Sequence, residues 1–272
     1  MTDRQGRFMK AVTAGRRFPG VNWHYQLLTF VVFAAAWELY ARERGGLLLP
    51  GFAETVRATA GLLADAELWR ALYASNQALV LGFGLALLVG VPAGIALGRF
   101  RLLERYTDVY LNILLVTPMA AIIPLLVMSV GVGLMSRVLL VTVFSVVMVI
   151  VNCRAGVRQA DPSLIEMARS FGAREPQIWT RILLPGALPA IMTGARLGIG
   201  RAVTGMVIVE LLMVSDGLGG LILRYRGLLK APQLYGTVVI ILAEALLLIS
   251  LARRAERELT RWARTQTAGG AW

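Results

Sequence analysis

Four ionisable side chains, Arg196, Arg201, Glu210 and Glu244, sit inside long apolar runs. Charge placed at membrane depth is costly, and it faces a bundle interior or a water-filled path rather than lipid. At about 100° per residue Arg196 and Glu210 share a helix face, while Arg201 lies across the helix from Glu210, so the three do not line one pore together. Arg201 near mid-depth is placed either to neutralise a passing anion or to satisfy open carbonyls around Pro118 and Pro124. Arg196 fits snorkelling or internal pairing, Glu210 fits packing or an outer gate, and Glu244 has no assigned role. Asn112 and Thr117 add uncharged polar groups, so Asn112, Thr117, Arg201 and Glu210 are the candidate translocation-path residues. Met119, Met128, Met206 and Met213 suit either an adaptable constriction or simple packing.

Covalent and redox chemistry has little to work with. The chain has one cysteine, Cys153, and one histidine, His24, which excludes an internal disulfide, a His-containing metal site and a His-based triad. No catalytic or metal-binding residue is assigned. The only lysines are Lys10 and Lys230 and neither follows a glycine, so the phosphate-cradling Gly-Lys-Ser/Thr loop is missing and any ATP and Mg²⁺ belong to a partner chain.

A second constellation runs from Asp161 to Pro185. Ser163 with Glu166 three residues on forms a capping box, and Asp161-Pro162 is a second compatible helix start. Gly172 can take the left-handed conformation that ends a helix. Pro176 opens the next helix, and Pro185 and Pro189 are expected to interrupt the chain as it enters the following span. The segment reads as two short helices and a tight turn, with Arg169, Arg174 and Arg181 exposed and Leu164, Ile165, Ala168 and Phe171 forming an apolar stripe. It suits either an ordinary cytoplasmic loop at the lipid interface or a stiff cytoplasmic lever.

The elements that position these residues are membrane helices. The 272 residues are 57% hydrophobic and only 16% charged, with a mean hydropathy of +0.66, so lipid is the fitting solvent. A hydrocarbon core of about 30 Å needs roughly 20 apolar residues per helix. Six spans are expected: Leu27–Ala41, Ser75–Leu97, Val109–Met128, Val138–Cys153, Pro189–Met213 and Gln233–Ala252. The short first one also reads as a secretory signal with Ala34–Ala36 as its cleavage region, but Trp37, Glu38 and Tyr40 fit an uncleaved anchor. Between Ala53 and Arg70 an amphipathic stretch with Val56, Ala60 and Leu63 on one face reads as an outer-surface helix or a plain connector.

The formal charge of +12 is topological. Its basic residues are scattered in short gaps between apolar runs, unlike the single basic face of a nucleic-acid binder. With the N-terminus inside, the segments on that side hold 18 of the 28 Lys and Arg, the outer ones hold 8, and Arg196 and Arg201 lie within a span. The positive-inside rule then puts both termini in the cytoplasm. The expected organisation is a cytoplasmic segment 1–26, a first span and outer helix over 27–74, a five-helix core over 75–252 containing the cytoplasmic segment 161–185, and a basic tail over 253–272.

Glu166, Ala168, Gly172, Ile182, Leu184 and Pro185 fall in register with the EAA signature of permeases in binding-protein-dependent ABC importers, with Met167 replacing its first alanine. The chain resembles the nitrate, sulfonate and taurine branch, through Glu67-Leu68-Trp69, Leu81-Gly82-Phe83, Pro118, Pro124, Gly131, Gly133, Gly198, Gly200-Arg201-Ala202, Glu210 and Gly217-Leu218-Gly219. It departs from that branch at Ser75-Asn76-Gln77-Ala78, Leu134-Met135 and Thr117-Pro118-Met119. The resemblance implies an all-α, type I (MetI-like) permease core with an extra N-terminal helix, in the bacterial inner membrane. It implies a second copy of the chain, two ATPase subunits and a periplasmic or lipid-anchored binding protein as partners. Ser163, Leu164, Glu166, Ala168, Arg169, Phe171, Gly172 and Ala173 would contact the ATPase. The substrate expected is a small anion such as a sulfonate, nitrate or taurine, with a vitamin precursor as the alternative within the family. Outside it, the competing readings are an ion-coupled secondary transporter and a membrane anchor subunit of an enzyme.

Overall fold

Apolar runs punctuated by Gly, Pro and Asp become helices throughout. The computed structural model describes residues 23–44, 48–213 and 216–260. The helices are α1 (Trp23–Arg44), α2 (Phe52–Leu63), α3 (Ala66–Arg99), α4 (Arg101–Val116), α5 (Ile122–Val130), α6 (Leu134–Arg158), α7 (Pro162–Ser170), α8 (Glu175–Ile178), α9 (Leu184–Met213), α10 (Leu218–Gly227) and α11 (Ala231–Leu259). No strand occurs among the described residues. Most of the expected segment 1–26 and the end of the expected basic tail lie outside the described residues.

Four helices are long and apolar enough to cross a membrane: α3, α6, α11, and the rod Glu175–Met213 that contains α8 and α9. The third expected span is broken instead of straight. α4 ends at Val116, a 3-10 turn occupies Met119–Ala121, and α5 leaves at 89°. Pro118 supplies no N–H and restricts the residue before it to extended backbone, where Thr117 sits at ψ 128°. α1 has 22 residues but falls outside the apolar group, and apart from Ala41 its described side chains keep contact with solvent or lipid.

α6 is the axis, packed between α3 and α9. Small residues let these helices approach closely, as in other membrane bundles. A Cβ on Gly94 would lie 2.5 Å from the Cβ of Cys153, and one on Gly156 would lie 2.5 Å from the Cβ of Ala190. One apolar cluster joins Leu79, Val141, Met206, Leu221 and Ile240 across α3, α6, α9, α10 and α11. A second, at the end carrying α7, joins Val149, Cys153, Ile178, Leu183 and Ile191.

α2 differs from its expected form. It stops at Leu63 because the Asp65 carboxylate accepts the Glu67 N–H at 2.9 Å and starts α3, so Glu67 and Arg70 belong to α3. Its buried face carries Thr55 and Leu62, while Val56 and Leu63 face outward. Gly236 of α11 explains the choice: a Cβ there would come within 3.0 Å of Thr59 Oγ1, so only this face seats closely. α1 is fastened to α2 by rings and caps, with Trp37 5.7 Å from Phe52 and Glu38 accepting the Ala53 N–H at 3.1 Å, and Trp37 also lies 6.0 Å from Tyr235 of α11.

The expected interruption at Pro185 and Pro189 is absent. Trp179–Leu183 forms a π turn and the helix continues. Pro185 lacks an N–H and crowds the carbonyl four residues earlier, and the wider π turn removes that conflict without ending the rod.

Candidate functional site

The segment between α6 and α9 is built as a rigid hook. The Asp161 carboxylate accepts the Ser163 N–H at 2.9 Å, and Pro162 holds the first helical position. The cap is therefore Asp161, and the Ser163–Glu166 capping box does not form. That backbone hydrogen bond favours the ionised form and holds the Asp161 carboxyl below its ordinary value. α7 ends in a Schellman motif: Gly172 has φ +77°, the Ala173 N–H donates to Ala168 O at 2.9 Å and the Gly172 N–H donates to Arg169 O at 2.9 Å.

The expected apolar stripe divides in two. Ile165, Ala168 and Ala173 pack on the cluster around Cys153 and Ile178, whereas Leu164, Met167 and Phe171 point away, with Phe171 86% exposed. The i, i+3, i+7 spacing of the second set makes an unpartnered apolar ridge. Arg169, Arg174 and Arg181 are exposed, as expected. The rings of Phe100, the residue after α3, and Trp179 pack at 6.3 Å, so the hook rests against the end of α3.

A cavity of about 300 Å³ opens at the Pro118 break, lined by Thr117, Met119, Phe144, Met148, Arg201 and Thr204 among others. Thr117 and Arg201 share this cavity, and Arg201 has no ion pair among the described residues. Asn112 is exposed on α4 and donates to Asp108 at 3.3 Å. Glu210 lies elsewhere, fully buried, with its carboxylate accepting the Ser75 hydroxyl at 2.6 Å and the Gly219 N–H at 2.9 Å. It is a cap for α10 and does not face the cavity. Arg196 pairs internally with Glu256 at 3.3 Å, and Glu244 accepts from Asn76 at 2.6 Å. The methionines do not converge: Met206 is in the core, Met213 packs on another cluster, and Met128 is exposed.

Residues 86–264 match the family described as binding-protein-dependent transport system inner membrane component. The chain belongs to that family. The permease is 31% identical over 273 residues to the putative aliphatic sulfonates transport permease of Bacillus subtilis, covering 93% of this chain and 98% of the relative. It is 33% identical over 198 residues to the taurine transport system permease of Escherichia coli, covering 73% and 72%. Its fold matches an inward-facing structure of the MetNI methionine ABC transporter with a TM-score of 0.64 at 22% identity, covering 71% of this permease and 96% of that chain. This permease is thus a multi-pass inner-membrane subunit of an ABC importer that works with a solute-binding protein, performs no catalysis, and leaves ATP hydrolysis to a separate subunit. The ion-coupled transporter and enzyme-anchor readings fall away.

Sequence reasoning missed an ionic cluster between α4 and α6. Arg154 Nη1 lies 2.6 Å from Asp108 and 3.5 Å from Glu104, and Arg158 also pairs with Glu104. Its signal was present as an acidic i, i+4 pair on α4, Glu104 and Asp108, and a basic i, i+4 pair on α6, Arg154 and Arg158, each sharing one helix face. Those arginines register first as topology signals, which hides their pairing.

Proposed function

We propose that this permease carries a small sulfonate-like anion inward by alternating access, as one of two identical copies enclosing the path. The carrying observation is Arg201: a cation at mid-span, exposed on the single chain, beside the cavity at the Pro118 break. A guanidinium facing acyl chains is unfavourable by about 2.5 to 3.5 kcal/mol on insertion scales. The face that bears it therefore meets water, solute or a second copy. The substrate class follows the relatives named for taurine and aliphatic sulfonates, and the positive path suits it.

Within this reading Asn112, Thr117 and Arg201 border the path, and both termini are cytoplasmic, supported by the 18 to 8 distribution of basic residues. The ridge of Leu164, Met167 and Phe171, with Ser163, Glu166, Ala168, Arg169, Gly172 and Ala173 shaping its support, seats on the partner ATPase, which binds ATP and Mg²⁺. The binding protein, periplasmic or lipid-anchored, delivers solute at the opposite end.

The test is reconstitution in vesicles with the ATPase and binding protein, following uptake of a short alkanesulfonate. Uptake is expected only with ATP, ATPase and binding protein together. Uptake by the permease alone under an ion gradient, or assembly with ATPase as a single permease copy, overturns the reading.

A further inference from the structure

The ends of α3, α6, α9 and α10 far from the α7 hook converge on one carboxylate. Glu210 is fully buried there. One of its oxygens accepts the Ser75 hydroxyl of α3 at 2.6 Å, and the other accepts the Gly219 N–H of α10 at 2.9 Å. The Ser75 oxygen accepts the Leu218 N–H at 2.9 Å. The first amides of α10 are thus held by a two-residue acceptor system, since its N-cap Gly217 offers no side chain. Arg137 of α6 completes the group, 3.8 Å from Glu210 Oε1 and donating to the Asp216 carbonyl at 3.0 Å.

The fit is tight. A Cβ at Gly217 would collide with Glu210 Oε1, and one at Gly219 would lie 2.5 Å from the Glu210 Cβ. Glu210 also lies near the far end of the 39-residue rod Glu175–Met213, whose other end begins in the hook. A helix of that length spans about 58 Å. Apolar packing of Leu218 and Leu221 would hold α10 without any charge. A buried carboxylate is costly unless its hydrogen bonds are complete, so its presence selects one geometry of α10 on α9.

We propose that Glu210 is a positioning residue that makes α10 follow the α9 rod, so that the outer end of the permease moves with the stroke applied at the hook. This rests on the transport reading above. Removing the carboxylate leaves the Gly219 amide, the Ser75 hydroxyl and the Arg137 guanidinium without their shared partner, and loosens the register of α10 on α9 without touching the hook.

The experiment uses the assembled importer with spin labels at the exposed positions Arg181→Cys, near the hook, or Arg226→Cys, on α10, in a Cys153→Ala background. Distances between the two copies are measured before and after trapping the ATPase with a non-hydrolysable ATP analogue. In the otherwise wild-type complex both distances are expected to shift. With Glu210→Gln, and separately with Ser75→Ala, the shift at position 181 persists while the shift at position 226 falls below half. Solute-stimulated ATP hydrolysis per assembled complex then drops at least fivefold toward its basal rate. An undiminished shift at position 226 in both variants overturns the proposal, as does a parallel loss at 181 and 226, which marks a merely structural role. If position 181 does not move in the wild-type complex, it is the transport reading that fails.

Discussion

Arg169 reaches across the Gly172 turn to Glu175, with its Nη2 2.7 Å from one carboxylate oxygen, while Arg99 Nη2 lies 3.4 Å from the other. A single carboxylate therefore closes the hook and ties it to the end of α3. Both pairs are exposed to solvent, where ion pairs add little stability. Their effect is orientation: they fix the direction in which the apolar ridge of α7 points.

That orientation depends on the backbone at Gly172. A Cβ there meets nothing within 4 Å, but φ is +77°, so substitution strains only the backbone. Gly172→Ala is expected to cost about 1 to 2 kcal/mol, which weakens ATPase docking about five- to thirtyfold. Gly172→Asn, which tolerates this conformation better, should weaken it less. Titrating labelled ATPase against permease in nanodiscs measures the difference, and equal docking by all three proteins rules the turn out as a determinant.

The two apolar faces of α7 predict opposite failures. Phe171→Glu changes an 86% exposed side chain and should abolish ATPase co-purification while shifting permease stability by no more than about 0.5 kcal/mol. Ile165→Glu places a charge against the cluster around Ile178 and should lower the unfolding temperature of the isolated permease. Loss of stability in both variants would show that α7 has no free docking face.

Much of this fold is legible because local chemistry dictates it. Asp161-Pro162, Gly172 and Pro118 act on their own backbones, and helix start, helix stop and break follow within a residue or two. Two of the misreadings share one cause, which is that a partner distant in the chain decides the outcome. Ser75 and Glu210 are 135 residues apart, and nothing near either one reports the other. The face of α2 that packs is chosen by Gly236 on α11, against its own apolar pattern. At Pro185 the sequence poses the conflict correctly, but a π turn is a second solution that residue types alone do not select.

Packing along α3 gives a stability prediction with an internal control. At Gly94 a Cβ would meet the Cys153 Cβ at 2.5 Å and the Ile150 carbonyl at 2.6 Å, whereas at Gly84 nothing lies within 4 Å. Gly94→Leu should destabilise the α3–α6 pair by about 1 to 3 kcal/mol, and Gly84→Leu should be close to neutral. Thermal unfolding in detergent reads both, and similar midpoints would refute the close approach.

The Asp161 cap carries a pH dependence of definite sign. Its folded-state pKa is depressed from the ordinary value of 3.8 by the Ser163 N–H, so its contribution is complete above that value and is lost as pH falls through the lower folded one. Amide protection at Ser163 and Leu164, corrected for intrinsic exchange, should be flat at neutral pH and drop in acid. Asp161→Asn keeps a capping oxygen without the titration and should show no acid step at these amides. An identical step in both proteins would assign it to another group.

Arg201 supplies the functional prediction that separates path from scaffold. Because a binding protein captures the solute first, half-saturation is set on that partner, and a residue inside the permease acts on the maximal rate. A charge-assisted hydrogen bond contributes about 1.5 to 3 kcal/mol, and about 1.4 kcal/mol is a tenfold change. Arg201→Gln should therefore lower maximal uptake of a short alkanesulfonate at least about tenfold, with half-saturation unchanged. Arg201→Lys keeps the charge but loses the planar fork and should fall between them. If the guanidinium instead props the Pro118 break, Arg201→Gln would reduce complex yield and thermal stability in step with uptake, and lysine would rescue neither. Unchanged uptake with a stable complex removes Arg201 from the path and leaves the cavity at Thr117 without its cation.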